Sequence, residues 1–149
     1  MTKPFALQTV LDLMQKRADE ATQQLARLIA AEQDAKTKLQ LLADYREEYA
    51  RRFQAAAQDG LTPQQWRNFQ DFLGRLDDAI GQQQQVVSRS RDNTSAGQQA
   101  WKAQQVKLKA MDALSERHLQ SEMKRESRQE QKMIDEIASR SDRQHKTTD

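Results

Sequence analysis

The chain has 149 residues with 24 basic and 22 acidic side chains, and a net charge of +2 gives neither nucleic acid nor a membrane surface much to hold. No cysteine is present, which excludes a disulfide framework and fits a reducing compartment. Hydrophobic residues make up 36% and charged residues 31%, with four glycines, two prolines and 23 glutamines, a balance that suits long solvated helices and coiled coils and not a compact core.

The N-terminus, Met1-Thr2-Lys3-Pro4-Phe5, lacks the apolar run of a signal peptide, and no uncharged stretch approaches the length of a membrane span. A cytoplasmic chain without direct membrane insertion is expected. The first element is a helix over about residues 4–57. Its apolar positions advance in alternating steps of four and three: Leu7, Leu11, Met14, Ala18, Ala21, Leu25, Leu28, then Ala35, Leu39, Leu42, Tyr49, Phe53 and Ala56. A period near 3.5 held over this length is the a/d seam of a left-handed coiled coil. Glu32 and Arg46 interrupt the seam at a positions, where polar residues fix register.

Residues 58–62 form the turn. Gly60 supplies the left-handed conformation that ends a helix, Thr62 is a natural N-cap, and Pro63 suits the first helical position. Gln65, three residues after Thr62, completes a capping box, with Leu61 placed to staple onto Trp66. Helix two then covers about 63–140, with residues 141–149 a disordered tail. At 1.5 Å per residue the two helices are roughly 80 and 115 Å long. A short turn makes them antiparallel neighbours, so the fold class is all-α: a two-helix antiparallel coiled-coil hairpin, an elongated rod, in one domain. The seam of helix two runs Trp66, Phe69, Leu73, Leu76, Ile80, Gln83, Val87, a weak stretch through Ser90, Thr94 and Gly97, then Trp101, Leu108 and Met111. The weak stretch reads as a thin segment where the helices approach closely.

With the turn centred near Gly60, residues whose numbers total about 121 face each other, so Leu7 lies opposite Leu114. Beyond that point the steps lengthen to Ser115, Leu119 and Met123, a stutter, before resuming through Met133 and Ile137. Residues 115–140 are therefore expected to overhang, to fray when free and to order against a partner. Nearer the turn, Tyr45, Phe72 and Ala79 stand off the seam, roughly 70° in the case of Tyr45 by the 3.6-residue period. Tyr49 faces Phe72, Tyr45 faces Leu76 and Leu42 faces Ala79, so an apolar patch forms about a third of the way from the turn. Either it docks a partner or it completes a thick core.

Chemistry is not expected. His118 and His145 are far apart and unaccompanied, and the acidic residues suit a solvated coiled-coil face. Arg117, Lys124, Arg125, Arg128 and Lys132 alternate with Glu116, Glu122, Glu126 and Glu130, which suits helix stabilisation and electrostatic docking better than a phosphate track. No phosphate loop, nucleophile with a base, or metal-spaced cluster is found, so no enzyme, cofactor or metal is expected.

Two local motifs go beyond periodicity: Leu42-Ala43-Asp44-Tyr45-Arg46-Glu47-Glu48-Tyr49, and Trp66-Arg67-Asn68-Phe69-Gln70-Asp71-Phe72-Leu73. With the Ala6-to-Leu13 start and the Gln131-Lys132-Met133-Ile134-Asp135-Glu136 run, they resemble the FliJ family of flagellar type III export proteins over nearly the whole chain. The resemblance implies an antiparallel coiled coil similar to the stalk of rotary ATPases, at the cytoplasmic face of the inner membrane at the flagellar base. It implies three partners: the hexameric flagellar export ATPase, the cytoplasmic domain of the membrane export gate, and chaperones of minor filament subunits. The gate-contacting positions of the family match Leu42, Tyr45, Tyr49, Phe72, Leu76 and Ala79. Lys38 and Gln83 depart from the family's Gln and His, which puts the patch edge in question. Insertion of the terminal end into the ATPase ring implies contacts from Leu7, Leu11, Met14, Leu25, Leu28, Leu119, Met123, Met133 and Ile137. A monomer is expected when the chain is free. The alternatives are a virulence-type secretion stalk, which shares the architecture, and a generic coiled-coil scaffold or adaptor.

Overall fold

In a computed structural model, which describes residues 5–147, the chain folds as two helices: α1, Gln8–Asp59, and α2, Pro63–Thr147. They pack against each other as an all-α helical hairpin. The sequence reading placed the first helix from about residue 4, which lies outside the described residues, to 57. It ended the second near 140 and expected a disordered tail over 141–149. Helix α2 instead runs on through 141–147, while residues 148–149 lie outside the described residues. The basic residues His145 and Lys146 stand in its last turn, where a helix C-terminus favours them.

The turn forms from the residues that the sequence singled out. Gly60 adopts φ +94°, a left-handed conformation that a side chain would strain, and its N–H donates to the Ala57 carbonyl at 3.3 Å. The Thr62 hydroxyl oxygen accepts from the Gln65 N–H, and the Gln65 side-chain oxygen accepts from the Thr62 N–H, both at 3.1 Å. Each satisfies a donor that the first turn of α2 would otherwise leave open.

Every seam position of α1 from Leu11 to Ala56, including Glu32 and Arg46, is covered at least in part. The core between the helices is nevertheless thin: among the described residues no large side chain is fully buried, and the best-buried apolar groups include Ala18 and Ala35. The chain groups into two compact units. One is Met1–Asp19 with Ala103–Asp149, and the other is Glu20–Lys102.

In the Glu20–Lys102 unit, cross-helix hydrogen bonds set the register. The Trp101 indole N–H donates to the Thr22 hydroxyl at 3.0 Å, and the Thr94 hydroxyl is within 3.3 Å of the Leu28 carbonyl and 3.0 Å of its own Ser90 carbonyl. Gln83 donates from its side-chain nitrogen to the Ala35 carbonyl at 3.0 Å. Thr22 with Trp101 and Arg46 with Asp77 each total 123, close to the total of 121 expected from the turn. The weak seam stretch is a close approach: a Cβ built on Gly97 would stand 2.5 Å from Leu28 Cδ1 and 3.6 Å from Leu25 Cδ1.

In the other unit the Phe5 ring lies 5.4 Å from the His118 ring, again a total of 123. His118, expected to stand unaccompanied, is thus covered by a residue that precedes α1. The expected stutter after Met111 is absent from the burial pattern. Covered positions continue through Ser115, His118 and Glu122, keeping the seam spacing, while Leu119 and Met123 face solvent. From residue 127 to 146 every residue is exposed. The uncovered part of α2 therefore starts later than residue 115, because the chain ahead of α1 extends the cover.

Filling the close approach should destabilise the hairpin. Gly97→Leu is expected to cost about 1–3 kcal/mol through overpacking against Leu25 and Leu28. Gly74→Ala, with nothing within 4 Å of the new methyl, should gain up to about 1 kcal/mol of helix propensity. Thermal unfolding followed by circular dichroism reads both, and a Gly97→Leu midpoint at or above that of the unchanged chain would contradict the close packing.

Candidate functional site

Six aromatic rings, taken alternately from α1 and α2, form a ladder that climbs from the turn. Trp66 packs on Phe53 at 4.9 Å between ring centroids, Phe53 on Phe69 at 5.2 Å, and Phe69 on Tyr49 at 5.3 Å. Tyr49 meets Phe72 at 4.4 Å, and Phe72 meets Tyr45 edge-on at 6.1 Å. The seam brings Tyr49, Phe53, Trp66 and Phe69 together at a/d positions near the turn, and Phe72 and Tyr45 extend the ladder onto the flank. Edge-to-face and tilted pairs of this kind contribute about 0.5–1.5 kcal/mol each beyond their area.

The ladder separates the six expected patch residues into layers. Leu76 is 7% exposed and belongs to the core, and Leu42, Tyr49, Phe72 and Ala79 are half-buried. Tyr45 is 44% exposed and caps the ladder on its outer flank. Tyr45 is thus the outermost of the six, with half-buried Phe72 and Ala79 on the same patch and Leu76 in the core. Lys38 and Gln83, the two departures, do not pair with each other: Lys38 reaches Asp34 at 3.3 Å, and Gln83 turns inward to the Ala35 carbonyl.

One cross-helix ion pair borders the patch. Arg46 Nε lies 2.6 Å from Asp77 Oδ1, and its Nη2 lies 3.5 Å from Oδ2. The hydrogen bond and the opposite charge hold the Asp77 carboxyl below the usual carboxylate range and raise the Arg46 guanidinium. Glu32, the other polar seam residue, is held low chiefly by its bond to Lys36 at 2.7 Å. Both seam interruptions are therefore paired, Glu32 within α1 and Arg46 across to α2, and of the two ion pairs it is that of Arg46 that ties the register.

The second candidate surface lies on α2. Leu119, Met123, Met133, Ile134 and Ile137 are all more than half exposed, and at 100° per residue they share one face. Lys124, Arg125, Arg128 and Lys132 line an open groove on the opposite face. Of the residues expected near the ATPase, Leu7 is exposed, whereas Leu11, Met14, Leu25 and Leu28 are half-covered in the seam. Leu28 is further engaged by Thr94 and Gly97. Ile134 was missed by the sequence reading, because a strict 3.5-residue template skips it while the helix period of 3.6 includes it. Among the described residues no group of three or more His, Asp or Glu is placed to hold a metal, and no helix is long and apolar enough to cross a membrane.

A capped helical hairpin with a thin apolar seam defines the class: a coiled-coil protein. The flagellar FliJ protein family model matches residues 2–147, and the chain belongs to that family. It is similar to the flagellar FliJ protein of Escherichia coli (strain K12), 30% identical over 140 residues that cover 94% of this chain and 95% of that one. The flagellar FliJ protein of Salmonella typhi is 29% identical over the same coverage. That of Buchnera aphidicola subsp. Schizaphis graminum is 26% identical over 102 residues, 68% of this chain and 67% of its own. The chain is thus a component of the flagellar protein export apparatus, which sets aside the virulence-type alternative.

The Arg46–Asp77 pair carries a pH signature. A carboxyl whose folded pKa is depressed stabilises the fold above its unfolded pKa and loses that contribution as pH falls through the folded value. Asp77→Asn should therefore lower the melting temperature at neutral pH, and the gap to the unchanged chain should close in acid below the carboxylate range. Melting curves across pH measure this, and a gap that stays constant would mean that the pair contributes nothing through charge.

Proposed function

We propose that the chain links the hexameric flagellar export ATPase to the cytoplasmic domain of the membrane export gate, docking on each through a different apolar surface. The reading rests on one observation: among the described residues, five exposed apolar groups line one face of α2 from Leu119 to Ile137, and Tyr45 caps an aromatic ladder with Leu41 exposed beside it, whereas others such as Ile29 and Val106 stand alone. Solvated helices have no use for such clusters, whereas contact surfaces do.

In this reading Tyr45, Phe72 and Ala79 meet the gate, with Leu42, Tyr49 and Leu76 beneath them. The stripe of Leu119, Met123, Met133 and Ile137, together with Leu7 and the seam residues Leu11, Met14, Leu25 and Leu28, serves the ATPase ring. The basic face of Lys124, Arg125, Arg128 and Lys132 adds charge complementarity, which speeds and orients docking more than it tightens it. The chain is a monomer when free and stands peripherally at the cytoplasmic face of the inner membrane. Escort of chaperones for minor filament subunits is a second role. The linker transmits a signal only in so far as it binds different states of ring and gate with different affinity.

Two sets of variants test the division of labour. Tyr45→Ala with Phe72→Ala should weaken binding to the gate's cytoplasmic domain by about tenfold or more while sparing stimulation of the purified export ATPase. Leu119→Gln, Met133→Gln and Ile137→Gln together should do the reverse. Calorimetric titration and steady-state ATP hydrolysis read the two. Loss of both bindings in either set, with the fold intact, would argue for a single shared surface.

A further inference from the structure

The apolar patch does not stop at Ala79. Continuing away from the turn, Leu41 is 63% exposed on α1 and Val86 is 40% exposed on α2. At 100° per residue, Phe72, Ala79 and Val86 lie seven residues apart on one flank of the α2 seam, and Leu41 and Tyr45 lie four apart on the matching flank of α1. Tyr45 meeting Phe72 edge-on at 6.1 Å puts both flanks on the same side of the hairpin. With facing residues totalling about 122, the five groups succeed one another along the axis in the order Phe72, Tyr45, Ala79, Leu41, Val86. They alternate between helices over roughly 20 Å, the rise of 14 residues.

Heptad spacing along one flank, matched by i, i+4 spacing along the other, is what a third helix packing against a coiled-coil pair requires. The small Ala79 at the middle of the track permits close approach. Charge narrows the choice of occupant. On α1 the flanking charges are already closed pairs: Lys38 with Asp34 at 3.3 Å and Arg52 with Glu48 at 2.9 Å. On the α2 flank the residues beside the track are Asn68, Arg75, Gln82 and Arg89, and neither arginine makes an ion pair among the described residues. The surface therefore presents an apolar line with two cations, Arg75 and Arg89, that no carboxylate closes among the described residues.

We infer that the surface used for the gate extends to Leu41 and Val86, and that its occupant is an amphipathic helix of the gate's cytoplasmic part, laid along the hairpin as a third strand. This helix carries apolar residues at three- and four-residue spacing and a carboxylate facing Arg75. The inference rests on the gate-docking reading above and adds two residues, an occupant geometry and a charge to it.

The test uses the full chain and the purified cytoplasmic domain of the export gate, titrated calorimetrically. Leu41→Gln with Val86→Gln should weaken binding at least about tenfold, since each removes an exposed apolar group that the complex would bury. Circular dichroism melting should leave its midpoint close to that of the unchanged chain. Arg75→Glu should also weaken binding and reduce its salt dependence, while Arg75→Lys retains most of it. If Tyr45→Ala with Phe72→Ala weakens binding and the Leu41/Val86 variant stays within twofold, the extension is wrong and the original patch stands. If none of the variants weakens binding, or the unchanged chain does not bind, both readings fall. Self-association abolished by Leu41→Gln with Val86→Gln would make the occupant a second copy of the chain and overturn the inference.

Discussion

Everything in this fold depends on one thin seam. Two helices that meet only along a and d positions bury little, and among the described residues no large side chain escapes solvent completely. A seam built from alternating apolar residues alone is degenerate, because sliding one helix by a heptad replaces apolar contacts with other apolar contacts. The hydrogen bonds of Trp101 to Thr22, Thr94 to Leu28 and Gln83 to Ala35 remove that freedom. The Arg46–Asp77 pair and the tight fit of Gly97 against Leu28 act in the same sense. Each is satisfied in one register and broken in its neighbours.

That logic explains the polar residues of a nominally apolar stripe. Thr94 is among the buried polar residues, and it stays at low cost because both the Leu28 and Ser90 carbonyls lie in reach of its hydroxyl. Glu32 and Arg46 keep their charges in water and reach a partner at the rim. The aromatic ladder near the turn provides a different kind of specificity: rings of unequal size and tilt interdigitate in one order only. Tyr45, the outermost rung, is therefore presented on a well-packed support.

Much of this was legible in the residues. The 3.5-residue period from Leu11 to Ala56 identified the covered positions of α1, and the Thr62–Gln65 capping box formed as its spacing implied. The pattern misled where apolar residues stopped marking the seam. Past Met111 the apolar pattern steps through Ser115, Leu119 and Met123 on an expected overhang, yet the geometry continues to cover Ser115, His118 and Glu122 and leaves Leu119 and Met123 in solvent. Periodicity records which side chains gain from burial, not where the opposing chain lies, and Phe5 reaching His118 from ahead of α1 carries no periodic signal. The patch near the turn suffered a related ambiguity. Tyr45 stands roughly 70° off its own seam on a wheel and Leu76 on the seam of the other helix, and burial alone shows that one is exposed and the other in the core.

The apolar stripe on α2 departs from the seam for a reason that bears on what it meets. A stripe with a basic face opposite it resembles a lipid-binding amphipathic helix, in which basic residues flank the apolar face and reach headgroups. Here the cations Lys124, Arg125, Arg128 and Lys132 lie directly away from the stripe, while the exposed Glu130 sits within it between Met123 and Met133. Entering a bilayer on that face would bury a carboxylate without a partner and leave the cations facing away from the anionic headgroups, both unfavourable. A protein surface can instead answer Glu130 with a basic side chain while burying Leu119, Met133 and Ile137 around it. Charge placed inside an apolar stripe thus selects a protein over a membrane and, among proteins, one whose own apolar surface carries a matching cation.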